Sequence, residues 1–391
     1  MPPPSATAKP QAPPDVVLAT HYWAVGPAIA LDEYLRPRVS RYLFIAHPLY
    51  GRPARAYFRR FQAGTPIAQG ERRPLPGPLR FGGDLWRTVR WAGAGDRGRL
   101  FIAGDNLLAL AGLWLRRRRR VKAVILYRID FVPKRFANPL LNRLYHAVDR
   151  YAVRHVDAVW NTSAGLEQAR RARDGGASRT PQLVVPVGAS YRRIRRHPLA
   201  AIDPHRIAFL GHLVERQGVQ LVIEALPLIR RAVADASLLV IGDGPYAATL
   251  KALARGRGVE GAVDFAGYSD DHPAIETLLA RCALGVAPYA PDPQSLSRFQ
   301  GLPGKIKNYL ACGLAVVLTG VPMEARSVEA AGAGVVVAYR KEEIAAAVIA
   351  YLNDPERLGR AREAAARLGA AFDWDDLFDQ AFERTLPLIA R

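Results

Sequence analysis

The sequence has few cysteines, no long apolar run and few acidic residues in its first half. Two cysteines in 391 residues cannot form a disulfide framework. Cys282 and Cys312 lie in apolar contexts typical of buried thiols, so we expect a reducing compartment. No apolar run reaches the roughly 18–20 residues that a membrane span needs. Residues 1–14 are proline-rich without an apolar segment, and we expect a disordered tail rather than a signal peptide.

The positive charge is concentrated in the first half of the chain. The formal net charge is +20, and residues 1–204 carry 35 Lys and Arg against 13 Asp and Glu, whereas residues 205–391 carry 20 against 22. This asymmetry indicates an anionic partner for the first half, although an arginine-rich composition inherited from a GC-rich genome would give the same count. A chain of this length favours two domains over one core.

The segment Gly301–Val317 (GLPGKIKNYLACGLAVV) carries the clearest chemistry. A Gly/Pro-rich turn opens a helix, so free backbone N–H groups and the positive end of the helix dipole are available to an anion. Lys305 lies in the first turn, where its ammonium can reach a phosphate. The preceding segment Ala283–Tyr289 is typical of a buried parallel strand, and in open α/β sheets ligands bind at the carboxyl ends of such strands. We therefore predict a nucleotide-diphosphate site here.

The rest of the chain alternates strands and helices in two sets. The first set begins with the strand Asp15–Thr20 and a turn that contains His21 and Gly26, and the second begins at Arg206. This alternation predicts an α/β fold with two Rossmann-like domains and parallel sheets. Gly51–Gly98 shows no clear periodicity and is predicted to be a functional or mobile segment.

Five motifs of the second half resemble the GT-B glycosyltransferases, most closely those of group 1, also called family 4. They are GHLVERQG (211–218), VIGDGP (240–245), VDFAGYSD (263–270), GVAPY (285–289) and LPGKIKNYLACGLAVV (302–317). The first half fits the acceptor domain of this family more loosely, and the order of the last two motifs is also similar to lipid-linked-oligosaccharide glucuronosyltransferases. The resemblance implies two domains facing a cleft. The expected order is a tail (1–14), an acceptor domain (15–190), a linker (191–204), a nucleotide-sugar domain (205–372) and a C-terminal helix that returns to the acceptor domain (373–391).

The resemblance also implies a set of donor-binding residues. For the diphosphate they are Lys305, Gly211, His212, Arg216 and Gly304, and for the nucleotide and ribose Asn308, Gly242, Asp243, Gly244, Tyr268 and Tyr289. Three positions depart from the family pattern: His212 replaces an Arg, Gln217 replaces a Lys and Asn308 replaces a Glu. An amide still hydrogen-bonds a ribose hydroxyl, but as an uncharged partner.

Catalysis is assigned to the first half. Asp130 follows a predicted strand and is our candidate general base, where many family members carry His-Asp and this chain has Ile129-Asp130. A structural salt bridge to Arg128 or Arg135 is the competing interpretation. His21, in the first turn, is a second catalytic candidate, and a packed or capping His is the alternative. The predicted acceptor-binding residues are Gly26, Arg128, Lys134 and Arg135.

The resemblance implies no metal or other cofactor, with a nucleotide-diphosphate sugar, UDP-linked by preference, as co-substrate. We expect a lipid-linked, polysaccharide or glycolipid acceptor and a peripheral position on the cytoplasmic membrane face. Arg116–Arg120, at the end of a predicted helix over 105–120, suit anionic headgroups, while a buried crossover helix with a solvated basic end is the alternative. No nucleic-acid-binding pattern accompanies these arginines.

Two other functions remain open. A degenerate GT-B module that binds an anionic polymer or nucleic acid would account for His212, Gln217 and Asn308. A nucleotide-sugar epimerase of the same fold would need catalytic carboxylates at several cleft positions, which the motifs do not supply.

Overall fold

The computed structural model describes residues 15–22, 26–49, 54–77, 79–94, 99–129, 134–174, 176, 178–292 and 301–389. The chain divides into two compact units. Unit 1 comprises residues 1–186 and 375–391, and unit 2 comprises residues 187–374. Among the described residues, no helix combines the length and the apolar content that crossing a bilayer requires.

Unit 1 is built on an eight-stranded sheet with the order β4-β3-β2-β1-β5-β6-β7-β8. Its strands are β1 (Val16–Tyr22), β2 (Arg41–Pro48), β3 (Ala56–Gln62), β4 (Thr65–Arg72), β5 (Arg99–Ala103), β6 (Val121–Arg128), β7 (Ala158–Asn161) and β8 (Gln182–Val184). Its helices are α1 (Pro27–Leu35), α2 (Leu79–Gly93), α3 (Asn106–Arg117), α4 (Pro139–His155) and α5 (Ala164–Asp174). All neighbouring strands are parallel except in β2-β3-β4, which are antiparallel.

Helices α2, α3 and α4 cover one face of this sheet. Each connects two parallel strands, so the three helices run in the same direction, opposite to the strands. One apolar core joins them to the sheet through Ala92 of α2, Leu108 of α3 and Ala152 of α4, which pack with Val17 and Ile45 of the strands. Helix α3 lies between α2 and α4 and contacts both.

The segment 51–98, in which no clear periodicity was recognised and which was predicted to be functional or mobile, contains β3, β4 and α2. Strand β4 lies at the edge of the sheet, and each of its residues is exposed or half-buried. Because neither side of β4 is buried, its sequence does not alternate between apolar and polar residues. Helix α2 buries Asp84 and Arg87 and exposes Leu79 and Trp86. Its core-facing side combines these polar residues with Leu85, Val89 and Ala92. Apolar residues therefore lie on both sides of the helix, which is why its periodicity was not recognised.

The final helix of the chain packs on unit 1. It spans Trp374–Ile389, and we label it α13. The Trp160 indole N–H donates to the Thr385 hydroxyl at 2.8 Å. The Tyr34 hydroxyl donates to Asp379 at 2.6 Å, and its ring stacks on Phe382 at 5.9 Å between centroids.

Unit 2 is built on a six-stranded parallel sheet with the order β11-β10-β9-β12-β13-β14. Its strands are β9 (Asp203–Leu210), β10 (Ser237–Ile241), β11 (Val263–Gly267), β12 (Cys282–Ala287), β13 (Ala315–Thr319) and β14 (Gly334–Val337). Its helices are α6 (Val219–Ala232), α7 (Ala247–Gly256), α8 (His272–Ala280), α9 (Gly304–Ala311), α10 (Ala325–Ala330), α11 (Lys341–Leu352) and α12 (Pro355–Ala370). The predicted α/β class with two Rossmann-like sheets is confirmed, and Cys282 and Cys312 are buried free thiols as predicted.

Residues 191–204, predicted to be a linker, are packed within unit 2. Arg193 forms an ion pair with Glu276 at 2.7 Å, and Arg196 donates to the Ala311 carbonyl at 3.1 Å. The first crossing between the units instead falls between residues 186 and 187. The arginines of this segment have buried partners far along the chain, which a local reading of Pro and Arg content does not reveal.

Candidate functional site

Two glycine turns meet at the carboxyl ends of β9 and β10 in unit 2. The Gly211 N–H donates to the Ile241 carbonyl at 2.9 Å, and the Leu213 N–H donates to Asp243 O at 2.9 Å. Gly242 has φ +138°, and a Cβ there would lie 1.9 Å from the Gly211 carbonyl oxygen. Only glycine permits this close approach of two backbones. A Cβ on Gly244 would similarly lie 2.4 Å from Leu213 O.

Lys305 reaches across to the first of these turns. Its Nζ donates to Gln217 Oε1 at 2.5 Å and lies 4.1 Å from the centroid of the Phe209 ring and 4.9 Å from that of Tyr289. A Cβ on Gly211 would lie 2.9 Å from the same ammonium. Its described partners are therefore a neutral amide and two aromatic faces. Burial lowers the pKa of Lys305 to about 7, because these neighbours do not replace the solvation that the charged form loses.

The N-terminus of α9 lies beside this ammonium. Pro303 is the N-cap and supplies no side-chain acceptor. The Ile306 and Lys307 N–H groups turn back to the Pro303 carbonyl, whereas those of Gly304 and Lys305 have no partner within the helix. Free N–H groups, the positive dipole end and a lysine together form an environment suited to an anion with several oxygens.

Tyr309 of α9 connects the two strands that lie beneath this crevice. Its hydroxyl accepts from the Leu210 N–H at 2.7 Å and donates to Val286 O at 3.2 Å, which ties the ends of β9 and β12 together. Its ring lies where a Cβ on Gly285 would approach within 2.6 Å. Helix α9 is thereby fixed against the strands that carry the glycine turns.

The other residues predicted for the donor lie around the same crevice with different exposure. His212 is exposed and Arg216 is half-buried, and the Arg216 carbonyl accepts from Ala290 N at 2.9 Å. Tyr289 is buried under Lys305, so it contacts the ammonium through its ring. Asn308 is half-buried on α9, one turn after Gly304.

Two further residues predicted to bind the donor, Asp243 and Tyr268, lie in the segments that follow β10 and β11. The Asp243 carboxylate accepts from the Gly244 N–H at 2.7 Å, which shapes the second glycine turn. Tyr268 is exposed, and its hydroxyl donates to Asp270. The structure thus brings Gly211, Gly242, Lys305 and the start of α9 together. Tyr268 lies apart from this group, directly after the end of β11.

In unit 1, His21 lies in a buried polar cluster at the carboxyl ends of β1 and β2. Its Nδ1 is 2.7 Å from Asp105 Oδ2, and its Nε2 is 3.5 Å from Asp84 Oδ2. The second imidazole, His47, is 3.3 Å from Asp84 Oδ1 and 2.7 Å from the Thr88 hydroxyl. Asp105 is also the N-cap of α3, since it accepts from the Leu108 N–H at 3.0 Å. His21 therefore packs between two carboxylates.

The charges of this cluster follow from the geometry. Burial by itself lowers the pKa of His21, but the charges and hydrogen bonds of Asp105 and Asp84 outweigh it and raise the pKa to about 9. Burial lowers the pKa of His47, which is neutral near pH 7. Although burial opposes it, the two histidines hold the pKa of Asp84 below its usual range. His21 is thus an imidazolium at neutral pH, able to donate a proton or a hydrogen bond but not to act as a base.

The other residues predicted for catalysis or acceptor binding in unit 1 lie in different environments. Asp130 lies outside the described residues. Arg128 is buried and paired with Asp149 at 3.1 Å, so its guanidinium belongs to the core beneath α4. Lys134 is exposed, and the Arg135 guanidinium lies 5.8 Å from the Tyr145 ring centroid. Gly26 is extended at the N-cap of α1 and its carbonyl accepts from Ile29 and Ala30.

Several residues of these sites were not predicted to act there, among them Gln217 and Tyr309 in unit 2 and His47, Asp84 and Asp105 in unit 1. Gln217 was noted only as a departure from the family pattern, and its contact with Lys305 joins positions 88 residues apart. Asp84 lies in the segment that showed no periodicity. Among the residues that the structure describes, no group of three or more His, Cys, Asp or Glu side chains is placed to hold a metal ion.

Comparison with known proteins adds three findings. Residues 204–354 match the family model described as Glycosyl transferases group 1. The chain is 31% identical to glycogen synthase of Mycobacterium tuberculosis over 251 residues, which are 60% of this chain and 55% of that protein. It is 27% identical to the GDP-mannose-dependent alpha-(1-6)-phosphatidylinositol dimannoside mannosyltransferase of the same species over 325 residues, 79% of this chain and 76% of the relative. The match to glycogen synthase thus spans little more than half of that relative.

Among solved structures, HepE of Anabaena, crystallised with UDP, superposes with a TM-score of 0.67 at 18% identity. The superposition covers 95% of this chain and 99% of HepE. At this identity the likeness establishes the fold. The family match covers the glycine turns and α9, the region in which the crevice of unit 2 is built.

Proposed function

We propose that this chain, a group 1 glycosyltransferase of the GT-B fold, moves a sugar from a nucleotide-diphosphate donor to a lipid-linked or glycan acceptor at the cytoplasmic membrane face. The observation that carries the proposal is the meeting of Lys305, the start of α9 and the Gly211 turn in one crevice of unit 2. A diphosphate is the ligand that uses all three features, because its several oxygens accept from backbone N–H groups and from an ammonium simultaneously.

In this proposal the donor diphosphate is stabilised as a leaving group. The bond between the sugar and the diphosphate breaks, the acceptor oxygen bonds to the sugar, and the acceptor proton passes to a base. Lys305 and the Gly304 and Lys305 N–H groups neutralise the charge that develops on the departing diphosphate. The proposal assigns this neutralisation to the protein's own groups and requires no metal ion.

We assign acceptor activation to unit 1. Asp130 remains our candidate base. His21, held as an imidazolium between Asp84 and Asp105, is assigned an electrostatic role: it donates a hydrogen bond to the reacting groups or orients the turn that precedes α1.

The donor is assigned as a UDP-sugar, with a GDP-sugar as the second choice. HepE was crystallised with UDP, while the mannosyltransferase relative is named for GDP-mannose and a phosphatidylinositol mannoside. That relative also supports a glycolipid acceptor.

The test is a measurement of nucleotide release from UDP-glucose, UDP-galactose, UDP-glucuronate and GDP-mannose, with and without a polyprenyl-phosphate acceptor. We expect turnover with one nucleotide class, unaffected by EDTA and lowered at least about 100-fold by Lys305→Ala, in line with losses for single groups that stabilise a leaving group. The matched control is Lys341→Ala, a lysine at the start of α11. Turnover that survives Lys305→Ala, or that EDTA abolishes, contradicts the proposed mechanism.

A binding-only module is the second candidate, and one observation favours it. Gln217 replaces the lysine of the family pattern and engages Lys305 directly, so the crevice has one cation fewer. Nucleotide binding without release from any donor would support this candidate.

A further inference from the structure

Helix α4 of unit 1 joins the core through Ala152 and Val153, and it also exposes a second set of apolar residues to solvent. Its buried face carries His146 and Asp149, and Asp149 is paired with Arg128 beneath the helix. Its exposed face carries Leu140, Leu144, Ala147 and Tyr151 at the spacing i, i+4, i+7, i+11, which is one continuous helical stripe. Leu140 is 70% exposed and Leu144 is 59% exposed.

Helix α2 likewise packs Leu85, Val89 and Ala92 on the core and exposes further apolar residues on its outer side. It buries Asp84, Arg87 and Thr88, and its exposed side carries Leu79, 69% exposed, and Trp86, 61% exposed. Helix α3, which lies between α2 and α4, exposes Trp114. Because all three helices cover the same face of the sheet and run in the same direction, their exposed apolar side chains lie on one surface, which we call the outer face of α2–α4.

Each helix also carries an aromatic residue with a basic residue one turn later. The Arg90 guanidinium lies 5.5 Å from the Trp86 ring, and that of Arg118 lies 4.9 Å from the Trp114 ring. On α4, the His155 ring stacks on Tyr151 at 4.1 Å between centroids. Aromatic rings with neighbouring cations are typical of the boundary between lipid headgroups and acyl chains, where one part of the side chain is apolar and the other hydrated.

The basic residues around this face indicate that its partner is negatively charged. Exposed arginines of α4, Arg143 and Arg154, flank the apolar stripe. Arg117 ends α3, and Arg118–Arg120 follow it. Apolar side chains bordered by arginines are the arrangement by which a helix lies in an anionic lipid surface. A soluble protein partner would need matching acidic groups, whereas an anionic bilayer supplies both the apolar and the charged component.

We propose that the outer face of α2–α4 docks on an anionic bilayer, with these helices parallel to the membrane plane and Leu140, Leu144, Leu79 and Trp86 inserted among the headgroups. This rests on and deepens the proposed function, since it names the surface by which the enzyme meets a lipid-linked acceptor. From the sequence, only Arg116–Arg120 were considered as the membrane contact. In this proposal these arginines supply positive charge, and the exposed apolar side chains of α2 and α4 insert into the bilayer surface.

The test is flotation of the full chain with phosphatidylcholine vesicles containing 0 or about 30% phosphatidylglycerol, a composition that imposes a negative surface potential. The double variant Leu140→Glu/Leu144→Glu is expected to lower partitioning onto the anionic vesicles about tenfold or more, because two exposed leucines become charged. The matched control is Leu278→Glu, an exposed leucine of unit 2, which is expected to bind as the wild type does.

Three outcomes overturn the proposal. One is unchanged flotation of the Leu140→Glu/Leu144→Glu variant when Arg117→Glu/Arg119→Glu abolishes flotation, since binding would then depend on arginines alone. The second is no flotation of the wild type. The third is a wild-type dimer in sedimentation velocity that the leucine variant dissociates, which would identify a second copy as the occupant.

Nucleotide release in the absence of vesicles separates this proposal from the proposed function. The leucine variant is expected to release nucleotide at the wild-type rate while losing flotation. If no donor is turned over by any variant but flotation follows the leucines, the docking surface stands and the proposed function fails.

Discussion

The two units differ in how their candidate sites are built. Unit 1 buries ionised groups in its interior, among them Asp84 with His21 and Asp149 with Arg128, and leaves leucines and tryptophans on its surface. In unit 2 the crevice is built from backbone, with glycine turns packed against each other and a single lysine over aromatic rings.

This difference is informative about the two functions. A site made of close backbone approaches has little freedom to vary and offers N–H groups to one kind of ligand, a phosphate group. Unit 1 exposes apolar side chains beside arginines on the outer face of α2–α4, and this is the surface for which we propose an anionic bilayer as the partner. The predictions below test the comparison from the largest expected effect to the smallest.

Gly242→Ala should have the largest effect. The added Cβ would lie 1.9 Å from Gly211 O at φ +138°, so both turns must move, and we expect a loss of about 3 kcal/mol or more of folding free energy together with loss of nucleotide binding. Urea unfolding and nucleotide-induced shifts in melting temperature measure the two effects. Gly256→Ala, where no atom lies within 4 Å of the new Cβ, is the control and should melt no lower than the wild type.

Asp84→Asn tests the buried charges of unit 1. The substitution removes one of the two carboxylates that flank His21 and the carboxylate that pairs with His47 and Arg87. We expect a loss of about 3 kcal/mol in the free energy of unfolding. The pKa of His21, raised to about 9 in the wild type, should fall in the variant. NMR titration of the His21 imidazole measures this pKa. An unchanged pKa in the variant would show that Asp105 alone keeps His21 protonated. Glu71→Gln, at an exposed ion pair with Arg55, should leave stability unchanged.

The affinity for UDP-glucose should depend on pH through Lys305. The pKa of this lysine is lowered to about 7 in the free protein, and a diphosphate favours the protonated form. Affinity is therefore highest below pH 7 and should fall by up to about tenfold for each pH unit above it. The donor diphosphate has no ionisation in this range. Calorimetric titration from pH 6 to 9 measures the trend, and Lys305→Gln should bind weakly with a flat profile.

Tyr309→Phe should have the smallest effect. It removes the hydroxyl that joins Leu210 N and Val286 O, and we expect a loss of about 1 kcal/mol in stability. Tyr268→Phe, at an exposed position, is the comparison. Equal unfolding midpoints for the two variants would mean that the bridge between β9 and β12 does not stabilise unit 2.

The two units also differ in how much could be predicted from sequence. In unit 2 the start of α9 is a local pattern in which a few adjacent residues define both the backbone and its chemistry, so the sequence alone predicts Lys305 as a phosphate-binding residue. Gly211 and Gly242 were assigned to the same site by the resemblance of their motifs to the GT-B family. The partner of Lys305 was missed because Gln217 lies 88 residues away along the chain.

In unit 1 the polar cluster depends on pairings between distant segments. His21 meets Asp105 across 84 residues, and Asp84 lies on a helix with apolar residues on both sides. Arg128 was assigned to the acceptor because it ends a strand, but Asp149 of α4 draws it into the core. Periodicity indicates where a helix lies, but it does not reveal which apolar side chains stay exposed, such as Leu79 and Trp86 of α2 and Leu140 of α4.

The central claim, that the donor binds where Lys305 meets the glycine turns, is tested most directly by hydrogen–deuterium exchange with and without saturating UDP-glucose or GDP-mannose. We predict slower exchange in residues 210–218, 241–247 and 304–310 with one of the two donors, and no such protection in Lys305→Ala. Protection confined to unit 1, or equal protection in the wild type and the variant, would contradict the assignment.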